Sequence, residues 1–125
     1  MPTLEAVMTT QEVANRLSEL FKEGKWMEAQ EELFSKDAIS IETPHAQGMQ
    51  TVQGLDNIKK KGEDFNAMVE EMHGGWAGEP IVGGNYISVA MGMDVTLKGA
   101  GRMKMDEICL YEVKDGKIVK EQFFY

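Results

Sequence analysis

Residues 103–125 read MKMDEICLYEVKDGKIVKEQFFY, with alternating apolar and polar positions on either side of Asp115-Gly116. Alternation with a period of two is typical of β-strands, and an Asp-Gly pair between two such runs predicts a tight hairpin. On the first strand the odd-numbered positions are the more apolar, so they predict the face that packs on the core. Glu107 lies in the middle of that face, and Glu121 interrupts the second strand in a similar way.

The length of the hairpin loop decides whether the two glutamates share a face. A two-residue loop puts Gln122 and Phe124 on the face of Glu107, whereas a three-residue loop, with Gly116 as a left-handed bulge, puts Glu121 there. We predict the three-residue loop, because it joins the more apolar faces of both strands. The two glutamates are then diagonal neighbours, about 7 to 8 Å apart at the backbone, on the wall that faces the helices.

Two carboxyl groups on one apolar wall predict acid–base chemistry. Desolvation and mutual repulsion each raise the pKa of a carboxyl group, so one group stays protonated near neutral pH while the other accepts a proton. Acid–base chemistry at a carbonyl group requires such a pair. The alternative is that the sheet opens at this point and both glutamates are solvated or paired with lysines.

Composition limits the class of protein. The chain has 125 residues, a formal charge of −8, 42% hydrophobic and 27% charged residues, which predicts one globular domain over residues 1–125. The negative charge disfavours nucleic acid and anionic membranes as partners. No apolar run is long enough to span a membrane, and the N-terminal sequence lacks the pattern of a secretory signal, so we expect a cytoplasmic protein.

The order of the elements predicts an α+β domain with the helices on one face of the sheet. A capping box at Thr9 and Glu12 begins a first helix that ends near Gly24, a second short helix covers residues 26–34, and a third covers 54–68. In the third helix the run of lysines at 59–61 is interpreted as a solvated face. The remaining patterns predict β-strands at 38–44, 69–77, 81 with 85–97, 102–113 and 117–125.

This organisation resembles the nuclear transport factor 2-like superfamily and, within it, the SnoaL-like group. The resemblance covers residues 9–125 and rests on IETP at 41–44, the helix after Gly54, VKDGKIV at 113–119 and FFY at 123–125. It implies a cone-shaped α+β barrel in which a strongly curved, mixed or antiparallel sheet wraps three N-terminal helices around an apolar pocket. It also implies a homodimer through the outer face of the sheet. Members of the superfamily include isomerases, polyketide cyclases, epoxide hydrolases and dehydratases, alongside domains that only bind ligands or proteins.

The active-site patterns of two family groups are incomplete in this chain. Ketosteroid isomerases use an aspartate on the penultimate strand to stabilise an oxyanion, and its distance from the turn places that position at Cys109. Their second aspartate, the base, follows the first strand just before a proline, where this chain has Glu42 and Thr43. The histidine and aspartate pair of SnoaL-type polyketide cyclases has no clear match.

Several other side chains are candidates for the pocket. His73 and His45 could act as bases near neutral pH, although single histidines are more often surface or structural residues. Glu42 is a weaker candidate, because alternation points it away from the apolar Ile39 and Ile41. Cys109 also suits a buried, reduced thiol, and Trp76 and Tyr125 also suit core or dimer contacts. The predicted pocket residues are Glu42, His45, Phe65, Trp76, Met91, Met93, Met105, Cys109, Phe123 and Tyr125.

We therefore expect a small-molecule pocket protein. Glu107 and Glu121, with help from His73, would carry out acid–base isomerisation, cyclisation or dehydration of a small hydrophobic carbonyl compound. No metal or cofactor is expected, because the two histidines lack ligand spacing and the single cysteine excludes a thiolate cluster. The alternatives are a domain that only binds its ligand and a dimeric interaction module.

Overall fold

The computed structural model describes residues 7–46 and 48–125. Helices α1 (Thr10–Lys22), α2 (Trp26–Leu33) and α3 (Leu55–Met68) pack on one face of a curved, mixed sheet of seven strands. This confirms the predicted α+β class and the cone-shaped arrangement. The strands are β1 (Phe34–Ile41), β2 (Val52–Gln53), β3 (Val69–Ala77), β4 (Ile81–Gly83), β5 (Tyr86–Leu97), β6 (Gly101–Lys114) and β7 (Lys117–Phe124).

Helix α1 begins where the sequence predicts it. The Thr9 hydroxyl accepts a hydrogen bond from the Glu12 backbone N–H at 3.1 Å, and the Glu12 carboxylate accepts one from the Thr9 backbone N–H at 2.9 Å. Val13, Leu17 and Leu20 form its buried face. Among the described residues, no helix has the length and apolar character needed to cross a membrane.

The strand order is β2-β1-β7-β6-β5-β3, with β4 pairing beside β5. Strand β1 runs parallel to β7, and the other pairs are antiparallel. Strand β1 begins at Phe34, which the sequence pattern had assigned to the second helix. Phe34 instead has extended backbone angles and packs edge-on against Tyr111, with ring centroids 6.4 Å apart.

The predicted three-residue hairpin loop is wrong. Lys114 lies opposite Lys117, so the loop contains only Asp115 and Gly116. Both have left-handed backbones, with φ of 52° and 76°. That combination matches the type I′ turn, whose twist fits the right-handed twist of the flanking strands.

A β-bulge in β7 nevertheless returns Glu121 to the face of Glu107. Val113 pairs with Ile118, but Glu112 pairs with Lys120, so Val119 is an extra residue on the second strand. Beyond the bulge the parity of β7 is reversed. The predicted common face is therefore present, but it is created by a bulge in the strand and not by a bulge in the loop.

The predicted spacing of the two glutamates is wrong as well. Glu121 lies opposite Tyr111, whereas the predicted register placed it opposite Cys109. Glu107 precedes Tyr111 by four residues on β6. Cys109, which pairs with Phe123, lies between the two glutamates on this face. Glu107 and Glu121 therefore sit at two points of one wall and are not diagonal neighbours.

Candidate functional site

A cavity of about 380 Å³ lies between the helices and the concave face of the sheet. Its walls are mostly apolar, and they come from all three helices, from β1, β3, β5, β6 and β7, and from the segment after β1. Six of the chain's ten methionines line it, which suits an adaptable pocket because the thioether is flexible and polarisable. The aromatic wall consists of Phe21, Trp26, Phe34, Phe65, Tyr111, Phe123 and Tyr125.

Five ionisable groups that carry charge near neutral pH in ordinary surroundings line this cavity. Glu28, from α2, is exposed, whereas the other four are buried or half-buried: Glu42 just after β1, Lys61 on α3, Glu107 on β6 and Glu121 on β7. Elements far apart in the sequence thus bring four carboxyl groups and one ammonium group to one cavity.

Lys61 and Glu42 form an ion pair at the cavity wall. The distance from Lys61 Nζ to Glu42 Oε2 is 2.6 Å, and the two side chains are only 10% and 5% exposed. The Tyr125 hydroxyl donates to the other carboxylate oxygen of Glu42 at 2.8 Å. Glu42 therefore has a cationic partner and a second donor, as a buried carboxylate requires.

This pair corrects two predictions. Lys61 does not belong to a solvated face, because it shares the inward face of α3 with Ile58 and Phe65, three residues before it and four after it. Glu42 does not point away from the core, because Ser40 and Glu42 are the buried positions at the end of β1. The sequence pattern chose Ile39 and Ile41 as the inner side, but both are only half-buried, on the opposite face of the strand.

Glu121 is the deepest carboxyl group of the site. It lies beside Ser40 across the parallel β1–β7 pairing, and the Ser40 hydroxyl donates a hydrogen bond to it. Lys61 Nζ donates to the Ser40 hydroxyl oxygen at 2.7 Å, which leaves the hydroxyl hydrogen free for Glu121. Glu42, Lys61, Ser40 and Glu121 thus form one continuous polar chain along the wall.

Burial raises the pKa of Glu121 from 4.5 to about 7. The hydrogen bond from Ser40 and the charge of Lys61 act in the opposite direction, whereas the negative charges of Glu42 and Glu107 add to the increase. At neutral pH the Glu121 carboxyl group is therefore divided between its acid and base forms, and it can both donate and accept a proton.

Burial also raises the pKa of Glu107. The Cys109 thiol donates a hydrogen bond to Glu107 Oε1 at 3.6 Å, which lowers the pKa by less than burial raises it. Burial raises the pKa of the Cys109 thiol itself, so the thiol remains protonated and acts as the donor. Cys109 is fully buried between the two glutamates on the same face of the sheet and donates to Glu107, without lining the cavity.

Most of the residues predicted for the pocket do line it. The structure brings these nine to the cavity: Glu42, Phe65, Met91, Met93, Met105, Glu107, Glu121, Phe123 and Tyr125.

Three predicted residues, in addition to Cys109, do not line the cavity. His73 Nε2 lies 2.7 Å from Thr96 Oγ1 on the neighbouring strand. His45 contacts the ring of Tyr125 edge-on, with centroids 5.8 Å apart, and reaches the site only through it. Trp76 lies on the outer face of the sheet and is 53% exposed.

Sequence reasoning missed several lining residues for different reasons. The position of Lys61 was readable from the apolar stripe of α3. Trp26 lies in the predicted second helix, but nothing in the sequence pattern separates a core residue from a residue of a cavity wall. Met49 follows a proline in an irregular segment, where no periodicity indicates the direction of a side chain.

The chain is similar to known proteins in sequence and in structure. The sequence matches the family described as SnoaL-like domain over residues 8–125. A structure from Mesorhizobium loti, provisionally described as a SnoaL-like polyketide cyclase, is 35% identical, with a TM-score of 0.88 over 94% of this chain and 100% of that chain. A comparison with curated proteins gives no significant match.

More distant structures have the same fold. A cystatin-like protein of unknown function from Xanthomonas campestris is 18% identical, with a TM-score of 0.76 over 94% of this chain and 90% of that chain. A structure from Jannaschia sp. CCS1, again provisionally described as a SnoaL-like polyketide cyclase, is 16% identical, with a TM-score of 0.65 over 99% and 90%. At this identity the likeness concerns the fold alone.

Proposed function

The chain belongs to the SnoaL-like domain family, and from that premise we propose that it binds a small hydrophobic carbonyl compound in its cavity and catalyses proton transfer with Glu107 and Glu121. No cofactor takes part in this proposal. Isomerisation, cyclisation and dehydration next to a carbonyl group all need a proton removed from carbon and a proton supplied to oxygen.

The observation that carries the proposal is the state of Glu121. It is buried on the cavity wall, and its pKa of about 7 divides it between acid and base at neutral pH. A carboxyl group matched to the working pH in this way is an efficient acid–base catalyst. Glu107, whose pKa is also raised, supplies the second carboxyl group on the same wall.

The roles follow from the chemistry of a carbonyl compound. The ionised carboxylate removes a proton from the carbon next to the carbonyl, and the protonated carboxyl group donates to the developing oxyanion. The apolar walls limit the access of water to the reacting carbon, so the carboxyl groups transfer the proton, and between transfers these groups exchange their hydrogen with solvent. His73 has no part in this scheme, because it does not reach the cavity.

Solvent deuterium exchange tests the proposal without knowledge of the natural substrate. We expect the protein to accelerate exchange at the carbons next to the carbonyl of 2-tetralone, measured by proton NMR in D₂O at pD near 7. Glu121→Gln should lower the acceleration by about 100-fold or more, since general acid–base catalysis typically contributes that much. Glu112→Gln is the matched control, because Glu112 lies on the outer face of β6 and bonds to Tyr86.

A second candidate function is ligand binding without turnover. One observation favours it: the position at which the resemblance to ketosteroid isomerases expects an aspartate is Cys109, whose thiol donates to Glu107. If 2-tetralone binds and exchange is no faster than in buffer, the binding function stands and the catalytic one is wrong.

We also propose that the outer face of the sheet joins two copies of the chain. This face has a contiguous apolar strip in which Ile108 lies opposite Phe124 on one side and Ala90 on the other. Ile108, Phe124 and Trp76 are large and exposed, at 44%, 46% and 53%. Exposed apolar patches of this kind mark interaction sites in soluble proteins.

A further inference from the structure

Among the charged side chains that line the cavity, hydrogen-bond acceptors outnumber donors. Its one ammonium group, Lys61, already donates to Glu42 and to Ser40. The Tyr125 hydroxyl also donates to Glu42. The Lys61 ammonium group and the Tyr125 hydroxyl therefore already donate to protein acceptors before any ligand enters.

Neutral donors of Trp26, Asn66 and Tyr111 also line the cavity, but the charged groups with capacity left are acceptors. Glu121 receives one hydrogen bond, from Ser40, and Glu107 receives one from a thiol, which is a weak donor. Gln30 also lines the cavity, and its Oε1 atom is buried with no hydrogen-bond partner among the described residues. A ligand that satisfies these groups must bring donors, since buried acceptors without partners cost stability.

The net charge of the cavity wall favours the same kind of ligand, one that brings donors. Four carboxyl groups and one ammonium group give a net charge of −3 when all are ionised, from 4 negative and 1 positive, with Glu28 the exposed member of the four. Lys61 neutralises Glu42, so Glu107 and Glu121 have no cation of their own. An anionic ligand would be repelled, whereas a cationic ligand would pair with the two free carboxyl groups. The charge of −8 on the whole chain acts in the same direction.

The aromatic wall also suits a cation. The faces of Trp, Tyr and Phe rings attract ammonium groups within about 6 Å of the ring centroid, most strongly where water is excluded. The site already contains one such contact, between Lys61 Nζ and the ring of Phe123 at 5.4 Å. Trp26 and Phe65 line the same space.

We propose that the ligand of this cavity is a hydrophobic compound that carries a protonated amine or other ammonium group, held against Glu107 and Glu121 within the aromatic wall. The inference rests on the proposed function, because it names the substrate class of the same site: a carbonyl compound with a cationic group. A cation beside the carboxyl groups favours ionisation of one of them, which prepares the base that removes the proton, while the other carboxyl group keeps the proton that it donates to the oxyanion.

Three compounds with one carbon skeleton test this inference. Adamantane derivatives differ only in the attached group: 1-adamantylamine is a cation, 1-adamantanol is neutral and 1-adamantanecarboxylate is an anion. We expect calorimetry at pH 8 to give at least tenfold tighter binding for the amine than for the alcohol, and no measurable binding for the carboxylate.

The pH dependence has a definite sign. The amine remains protonated between pH 6 and 8, so any change in its affinity reports the carboxyl groups. Because the cation pairs with an ionised Glu121, whose pKa is about 7, the affinity should rise about tenfold from pH 6 to pH 8. Binding of the neutral alcohol should not rise over the same range.

Variants separate a specific cation site from general hydrophobic binding. Glu107→Gln and Glu121→Gln should each weaken amine binding at least tenfold at pH 8 and keep 1-adamantanol binding within twofold, which also shows that the cavity is intact. Glu112→Gln should bind all three compounds as the wild type does. The inference is overturned if the amine does not bind, if it binds no more tightly than the alcohol, or if neither cavity variant weakens it.

The proposed proton transfer and the proposed cationic ligand can each be contradicted without the other. Deuterium exchange in 2-tetralone without any preference for the amine would contradict the cationic ligand and leave proton transfer in place. A clear preference for the amine without exchange would contradict catalysis and leave the cation site in place.

Discussion

Glu121 keeps a proton at a pH at which an ordinary glutamic acid has lost it, because the fold buries the carboxyl group and pairs Lys61, the ammonium group that lines the cavity, with Glu42. The sequence alone predicted a buried glutamate at this position and a raised pKa. It could not predict the Lys61–Glu42 ion pair, since that contact depends on how α3 packs on β1.

The raised pKa makes folding stability depend on pH. The folded state binds the Glu121 proton more tightly than the unfolded chain, whose pKa is near 4.5, so the group favours folding at low pH. That contribution is lost as the pH rises from about 4.5 to about 7, and it amounts to about 3 kcal/mol. Glu121→Gln should therefore have a higher unfolding free energy than the wild type at pH 8, with the difference shrinking towards pH 4.5.

Urea denaturation of both proteins from pH 4.5 to 8 measures this difference. All other titrating groups are common to the two chains, so their contributions largely cancel. Parallel stability curves would mean that Glu121 ionises as freely in the folded state as in the unfolded chain.

The β6–β7 hairpin was predicted correctly, but the position of its extra residue was predicted wrongly. Alternation and the Asp115-Gly116 pair predicted the hairpin and the shared face of the glutamates. The extra residue that sets the parity of β7 was assigned to the loop, but it is Val119 in the strand. A one-residue insertion has the same effect on side-chain direction in either place, so the alternating pattern cannot separate the two.

Gly116 suits the two-residue turn for two reasons: its backbone is left-handed, and the space around its Cα has no room for a Cβ atom. Two variants separate these reasons. The φ of 76° at Gly116 disfavours any residue with a Cβ atom, and a Cβ there would lie 2.8 Å from Val7 Cγ1 and 3.0 Å from the Met8 backbone N. Gly99 has nearly the same φ, 77°, and an open environment. We expect Gly99→Ala to cost about 1 kcal/mol from backbone strain and Gly116→Ala about 2 to 3 kcal/mol from strain and crowding.

Chemical denaturation at one pH measures both losses. Equal losses would contradict the crowding and show that the segment at Val7 and Met8 moves aside without cost. No loss in either variant would contradict the backbone strain as well.

The two faces of the sheet differ across the whole molecule, because the helices cover one of them and leave the other open. The concave face was predictable in outline, because the order of helices and strands implies a covered face and an open one. The assignment of single aromatic residues was not: Trp76 belongs to the outer face, although the sequence pattern offered it for the pocket. Strand curvature and the register shifts in β3 decide such positions, and both arise from pairing with β5.

The proposed dimer predicts the effect of one charge on the outer face. Ile108 lies inside the apolar strip, so in a symmetric dimer of these faces Ile108→Lys would bring two ammonium groups into an apolar contact. We expect the wild type to sediment as a dimer at micromolar concentration and Ile108→Lys as a monomer. Met68→Lys, which changes an exposed methionine at the end of α3, should remain a dimer. A monomeric wild type, or a dimeric Ile108→Lys, would contradict the interface, and unchanged binding of 1-adamantanol by Ile108→Lys would confirm that the variant is folded.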